Sequence, residues 1–214
     1  MSTIDNSLLI CFAVKEEASP FLKNARGRCR VCITGMGEDN ARRALCKALL
    51  KFKPKRVITA GFAGGLNPKL KCGHVLYDED SNAGFAIKLR QSGARPGTFH
   101  CSRRIAVTGE EKKLLWELTG ADAVEMESAA IRAICQEKEI PSATIRVISD
   151  DAAQDMPLDF NTLMTSEYRL NHPKLFWRIL VRPGTIPKLI EFQRQTKTAA
   201  AQLGIVLEKL LAKT

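Results

Sequence analysis

The run Val124-Glu125-Met126-Glu127-Ser128 is followed some twenty residues later by Arg146-Val147-Ile148-Ser149-Asp150-Asp151. Carboxyl groups at the ends of apolar segments can grip hydroxyls, pass protons or stabilise a developing cation, which are the steps of acid–base bond cleavage. The stretch reads as a strand ending in acids, a helix, and a second strand that again ends in acids. That pattern predicts one β-α-β unit delivering two acidic clusters to the same edge of a sheet, at a catalytic cleft. Ser149, Asp150 and Asp151 would equally suit the N-cap of a following helix.

Elements able to position such residues recur along the chain. Apolar segments at 7–14, 30–34 and 56–60 read as buried strands, each followed by glycine or acidic residues where a turn is needed. Between the second and third, Ala41, Ala44, Leu45, Ala48, Leu49 and Phe52 share one stripe of a helix over 38–52, ended by Pro54. Further on, 105–108 reads as strand, 110–118 as helix stopped by Gly120, 123–125 as strand, 128–137 as helix and 143–148 as strand. A long amphipathic helix is predicted over 186–211. The alternation predicts an α/β fold: one three-layer α/β/α domain over 1–214 with a central mixed, mainly parallel sheet and a C-terminal helical segment at about 163–214.

With 214 residues and 45% hydrophobic content, the chain can bury a full core. The net charge of +10 permits attraction to phosphates, nucleic acid or anionic lipid. With only 6% aromatic residues, no zinc-finger spacing and no RNP-like motif, nucleic acid is not the expected partner. Seven cysteines behind an N-terminus without a signal-peptide layout lead us to expect a reducing, cytoplasmic setting. Cys29 and Cys32 have C-x-x-C spacing. In a strand that offset turns the thiols to opposite faces, and no second Cys/His pair stands nearby, so no metal or cofactor is expected. The longest apolar runs fall short of a bilayer crossing.

Three glycine-containing turns could approach a ligand. Thr34-Gly35-Met36-Gly37-Glu38-Asp39-Asn40 suggests a dinucleotide fingerprint, but it lacks the third glycine and carries acids that would repel pyrophosphate. Gly61-Phe62-Ala63-Gly64-Gly65-Leu66 reads as a small-residue turn after the third strand, either a ligand cradle or a tight connection. Gly93-Ala94-Arg95-Pro96-Gly97 reads as a surface loop.

Taken in order, Ala13-Val14-Lys15-Glu16-Glu17, Thr34-Gly35-Met36-Gly37, Ala60-Gly61-Phe62-Ala63-Gly64-Gly65-Leu66, Val124-Glu125-Met126-Glu127 and Ser149-Asp150 resemble the nucleoside phosphorylase superfamily over about residues 7 to 155. Within it they look most like the 5'-methylthioadenosine/S-adenosylhomocysteine nucleosidases and related hydrolases. The resemblance implies cleavage of a purine N-glycosidic bond through an oxocarbenium-like ribosyl cation. It implies that Asp150 is the general acid toward N7 of the base, that Glu17 activates the attacking water, and that Glu127, with Glu125 beside it, grips the ribose hydroxyls. Met126 would pack on the ribose face, and Met36, Phe62, Ala63, Gly64, Ser149 and Thr108 would complete the substrate pocket. It further implies a homo-oligomer, a dimer or larger.

Phosphorylases of this superfamily need cations after the first strand and at the third-strand turn to aim a phosphate dianion. Those places carry Glu16 and Glu17, and Thr59-Ala60-Gly61, which favours water; Arg42, Arg43 and Arg56 read more simply as solvated charges. Phosphorolysis and non-catalytic nucleoside binding stay open as alternatives. Phe62 stands where the nucleosidases usually have a small hydroxyl residue, Gly73-His74 where Gly-Asp is common, and Val107-Thr108-Gly109-Glu110 replaces the usual adenine clamp. The later run is similar to hopanoid-associated members linked to a lipid-attached adenosyl group. Its basic, apolar segment at 174–182 reads as a packing or subunit surface, or as a weak contact with an anionic membrane.

Overall fold

The computed structural model describes residues 7–24, 28–165, 167–168 and 171–212. The apolar segments at the start become β1 (Leu8–Phe12), β2 (Arg30–Ile33) and β3 (Arg56–Gly65), with α1 (Lys15–Asn24) and α2 (Glu38–Lys51) between them. Then come β4 (Val75–Glu79), α3 (Ala86–Gln91), β5 (Arg95–Pro96), β6 (Phe99–Cys101), α4 (Gly109–Thr119), β7 (Ala123–Glu125), α5 (Ser128–Glu137) and β8 (Ser142–Asp150). The C-terminal part holds α6 (Phe160–Leu163), α7 (His172–Val181), a 3-10 turn at Pro183–Thr185 and α8 (Ile186–Leu211).

The sheet runs β2-β1-β3-β8-β4-β5, and β7 joins β3 on the β1 side, past the end of β1, with β6 beyond it. Pairings β1/β2, β1/β3, β3/β8, β4/β5 and β6/β7 are parallel, whereas β3/β7 and β4/β8 are antiparallel. Alternating residues of β1 and β3 feed opposite faces, as the two-residue strand period requires. Leu8, Ile10, Phe12 and Ile58 pack with Phe21 of α1, Leu89 of α3 and Leu203 and Leu207 of α8. Leu9, Cys11 and Val57 pack with Ala41 and Leu45 of α2 and Ile131 and Ile134 of α5. The fold is therefore the mixed, mainly parallel α/β/α sandwich that the alternation predicts.

Five local readings are corrected. The β7-α5-β8 segment is not a parallel unit, because β7 runs antiparallel to β3 while β8 runs parallel to it. The segment 61–65 is not a turn but the second half of β3, paired with β8 through Gly64 with a register shift after Ala63. Residues 105–108 form no strand; Ile105 is held at both its N–H and its C=O by the Asn161 side chain, and the Val107 carbonyl accepts from the Met156 N–H. Part of the 93–97 loop is strand, since Arg95 and Pro96 pair with β4. Asp150 closes β8 rather than capping a helix, and the next helix along the chain begins only at Phe160.

Candidate active site

The carboxyl-terminal half of β3 gathers the acidic residues. β1 pairs with β3 as far as Thr59 and β7 joins at Gly64, so the edge between them lacks a strand partner on that side. Glu17, in the first turn of α1, fills the break. Its Oε1 accepts the Phe62 N–H at 2.8 Å, and its Oε2 accepts those of Ala13 at 2.9 Å and Val14 at 3.1 Å, just beyond β1. Burial raises its pKa, and the three N–H donors and Arg146 only partly offset that.

A β-carbon at Gly61 would stand 2.6 Å from Glu17 Oε1 and 2.9 Å from the carboxyl carbon. Gly61→Ala should leave the thermal midpoint little changed, since the obstructed atoms end a flexible side chain, while displacing the carboxyl group. Turnover should then fall roughly 100-fold. A midpoint that fell in step with activity would show that the backbone, not Glu17, had given way.

Arg146 is the cation of the cluster and lies 2% exposed in the middle of β8. Its Nη2 donates to Glu125 Oε2 at 2.6 Å and to Thr59 Oγ1 at 3.1 Å, and Glu127 Oε2 lies 3.7 Å away. Its Nε and Nη1 carry no hydrogen bond among the described residues, leaving two buried donors beside the acids. Glu125 is saturated: Oε1 accepts from the Ser128 hydroxyl, and Oε2 also accepts from the N–H groups of Glu127 and Ser128. Burial alone would raise the Glu125 pKa, but Arg146, Ser128 and the backbone donors outweigh it and the carboxyl is held low. Glu125 thus anchors Arg146.

Glu127 is freer. Its Oε1 accepts the Gly37 N–H at 2.8 Å, so the anion at the Gly-Met-Gly turn is the protein's own carboxylate. Gly37 has φ +84, a conformation suited to glycine, and it aims that N–H. Burial, together with Glu125 and Glu17, pushes Glu127 up to about 7 against the pull of Arg146 and Gly37. A raised pKa means that the fold favours the protonated acid. The stabilisation from that proton is complete below the ordinary value of 4.5 and is lost as pH rises through about 7. The thermal midpoint of the ligand-free protein should therefore decline between pH 5 and 8, and Glu127→Gln should flatten the decline. A variant with an unchanged slope would assign the titration to another group.

Asp150 is buried at the end of β8. The Ser149 hydroxyl lies 2.6 Å from Asp150 Oδ1 and 3.3 Å from the Ala63 carbonyl oxygen. It can donate to an ionised Asp150, or accept from a protonated one while donating to Ala63, so it supports both states. Oδ2 forms an ion pair with Lys112, whose ammonium also donates to the carbonyls of Asp151 at 2.9 Å and Gln154 at 2.7 Å. Lys112 is fully buried, and with three acceptors all three of its hydrogens are used.

The four acids Glu17, Glu125, Glu127 and Asp150 open onto one cavity of about 380 Å³, lined also by Met36, Phe62, Ala63, Gly64, Met126 and Ser149 among others. Thr108 does not line it. Its hydroxyl caps α4 by accepting from the Glu111 N–H, and Ile105 and Ala106 stand at the cavity instead. Met156, Phe160, Met164 and Phe192 form an apolar outer wall, with Phe160 and Phe192 in contact at 5.9 Å between centroids.

Two residues of the cluster, Arg146 and Lys112, go beyond those the motifs single out. Arg146 leaves a signal, since a lone cation between Ile145 and Val147 in a buried-type strand needs an anionic partner. Lys112 leaves a fainter one, three and four residues before Leu115 and Trp116 on the same helical face.

Residues 21–80 and 81–180 match the model of the phosphorylase superfamily. The 5'-methylthioadenosine/S-adenosylhomocysteine nucleosidase of Shewanella loihica is 27% identical over 166 residues, covering 61% of this chain and 72% of the relative. The enzyme of the same name from Shewanella sediminis is 26% identical over 163 residues, 60% and 70% of the two chains. Futalosine hydrolase of Helicobacter pylori superposes with a TM-score of 0.70 at 17% identity, over 96% of this chain and 97% of its own. The Neisseria meningitidis 5'-methylthioadenosine/S-adenosylhomocysteine nucleosidase, in complex with methylthio-immucillin-A, does so with 0.68 at 20% identity, over 98% of each. The matched family model covers both the β3 and the β8 parts of the acidic cluster, and the chain belongs to the phosphorylase superfamily.

Proposed function

We propose that the protein hydrolyses the N-glycosidic bond of a 5'-substituted purine nucleoside of the adenine type, releasing the free base. The observation that carries this reading is the convergence of Asp150, Glu127 and Glu17, each with different partners, on one cavity. Asp150 protonates N7 as the bond from the sugar to N9 breaks, and Lys112 steadies the carboxylate left behind. Glu127 accepts hydrogen bonds from the ribose hydroxyls and favours the positive charge growing on the sugar. Glu17 takes a proton from water as its oxygen bonds to the anomeric carbon, and its burial makes it a stronger base than an exposed carboxylate.

Water is favoured over phosphate by charge. Arg146 is the cation of the Glu cluster and is already bound by Glu125, so a dianion would meet Glu17 and Glu127 in a buried site. Ile105 and Ala106 offer the cavity an apolar side for the base, and the wall of Phe160, Met164 and Phe192 supports an apolar 5' group. The names of the sequence relatives agree with such a substrate.

The test is incubation with methylthioadenosine, adenosylhomocysteine, adenosine and inosine, with and without phosphate, following base and sugar products. Free base and free sugar, independent of phosphate, are expected from at least one adenine nucleoside. A sugar 1-phosphate product would overturn hydrolysis, and binding without turnover would overturn catalysis.

A further inference from the structure

Helix α7 buries none of its ten residues. Phe176, Trp177, Leu180 and Val181 recur at i, i+1, i+4 and i+5 and form one exposed stripe, with Phe176 68% and Trp177 66% exposed. Leu175 and Ile179, one turn apart, are the half-buried side. After the 3-10 turn, Ile186 and Ile190 of α8 are also exposed and one turn apart. Six exposed apolar side chains within fifteen residues are more than a soluble surface ordinarily gathers in one place.

Charge selects what covers them. From 172 to 197 the chain carries Lys174, Arg178, Arg182, Lys188, Arg194 and Lys197 against one acid, Glu191, which lies 3.8 Å from Arg194. Among the described residues, Lys174, Arg178, Arg182 and Lys188 have no ion-pair partner. A second copy of this face would set like charges against each other. An anionic lipid surface offers acyl chains and glycerol backbones to the rings and phosphates to the cations. No helix among the described residues is long and apolar enough to cross a membrane, so the contact would lie in the interface plane.

We propose that α7 and the first turns of α8 dock on an anionic membrane surface. Phe176, Trp177, Leu180 and Val181 enter the interface while Arg178, Arg182 and Lys188 contact headgroup phosphates. Phe192 and Thr196, two and six residues beyond Ile190 on the same helix, line the acidic cavity, so docking sets the cavity's rim beside the lipid. The docking is independent of the base-releasing reading, because none of its residues belongs to the acid cluster.

The test is co-sedimentation of the full chain with neutral phosphatidylcholine vesicles and with vesicles containing phosphatidylglycerol, at low and high salt. Two variants are compared, Phe176→Ser/Trp177→Ser/Leu180→Ser and Arg178→Glu/Arg182→Glu, each with its thermal melt to verify folding. Emission of Trp177 is followed in a Trp116→Phe background. The unmodified chain should bind anionic vesicles at least about 10-fold more strongly than neutral ones, salt should weaken that binding, and Trp177 emission should shift to the blue. Both variants should lose about 10-fold in binding while melting normally. Equal binding to both vesicle types, or full binding by folded variants, would overturn the proposal. So would vesicles left unbound by a chain whose self-association the triple variant abolishes, which would assign the face to a second copy.

Discussion

Asp150→Asn should lower turnover of a purine nucleoside by about two to four orders of magnitude while changing KM far less. The amide keeps an acceptor for Lys112 and can still hydrogen-bond the base, so binding survives. It cannot give up a proton, and the departing purine must then leave as an anion. Changing the leaving group separates this from a general disturbance of the site. A nitrophenyl riboside, whose phenolate needs no proton, should lose much less in the variant than the purine nucleoside does. Equal losses on both substrates would remove Asp150 from proton delivery and leave it a positioning group. Full activity on the purine would exclude both roles.

Periodicity and turn chemistry are local, and what they govern was legible in the chain. The helix predicted over 128–137 and the amphipathic helix over 186–211 are α5 and α8 to the residue, because α5 carries one apolar stripe and α8 starts after the Pro183-Gly184 break and buries Ala199, Leu203, Val206, Leu207 and Leu210 at helical spacing. α1 does not announce itself, since Pro20 sits inside it and its stripe is short. β3 reads as too short because glycines look like a turn. Gly61 is in fact strand backbone kept bare for the Glu17 carboxyl, so the small residue marks a close approach and not a change of direction. The direction of β7 is also illegible. A three-residue strand that meets β3 only at Gly64 and Gly65 carries no local sign of running antiparallel to it. The acids themselves were visible, whereas of the cations that position them Arg146 leaves a signal and Lys112 only a faint one, because a lysine in Glu110-Glu111-Lys112-Lys113 looks much the same whether it faces solvent or Asp150. Burial of Lys112 is decided by α4 lying over the residues after β8, a contact between segments about forty residues apart.

Arg146→Met should destabilise the protein by about 3–5 kcal/mol near pH 8, the usual cost of stripping one partner from a buried ion pair. The methionine fills much of the volume, so the loss reports charge more than a cavity. Its pH dependence carries the mechanism. In the unmodified protein Glu125 is held ionised by Arg146, whereas Glu127, at about 7, and Glu17, raised by burial, can take up protons. Without the guanidinium, ionising any of the three in that buried site becomes more costly, so the deficit should grow as pH rises from 5 through 7 and shrink in acid. Urea unfolding at pH 5.5 and pH 8 measures this, provided that the m-value is unchanged between proteins. An equal deficit at both values would mean that Arg146 serves packing alone. Glu125→Gln supplies the second half of a double-mutant cycle. Because Arg146 Nη2 and Glu125 Oε2 are 2.6 Å apart, the combined loss should fall well short of the sum of the single losses. Activity divides the cluster differently. Glu125→Gln keeps one oxygen to accept from the backbone N–H groups of Glu127 and Ser128, and the Ser128 hydroxyl can turn to accept from the new amide, so it should retain more turnover than Arg146→Met, which frees both Glu125 and Glu127 from the cation that fixes their geometry.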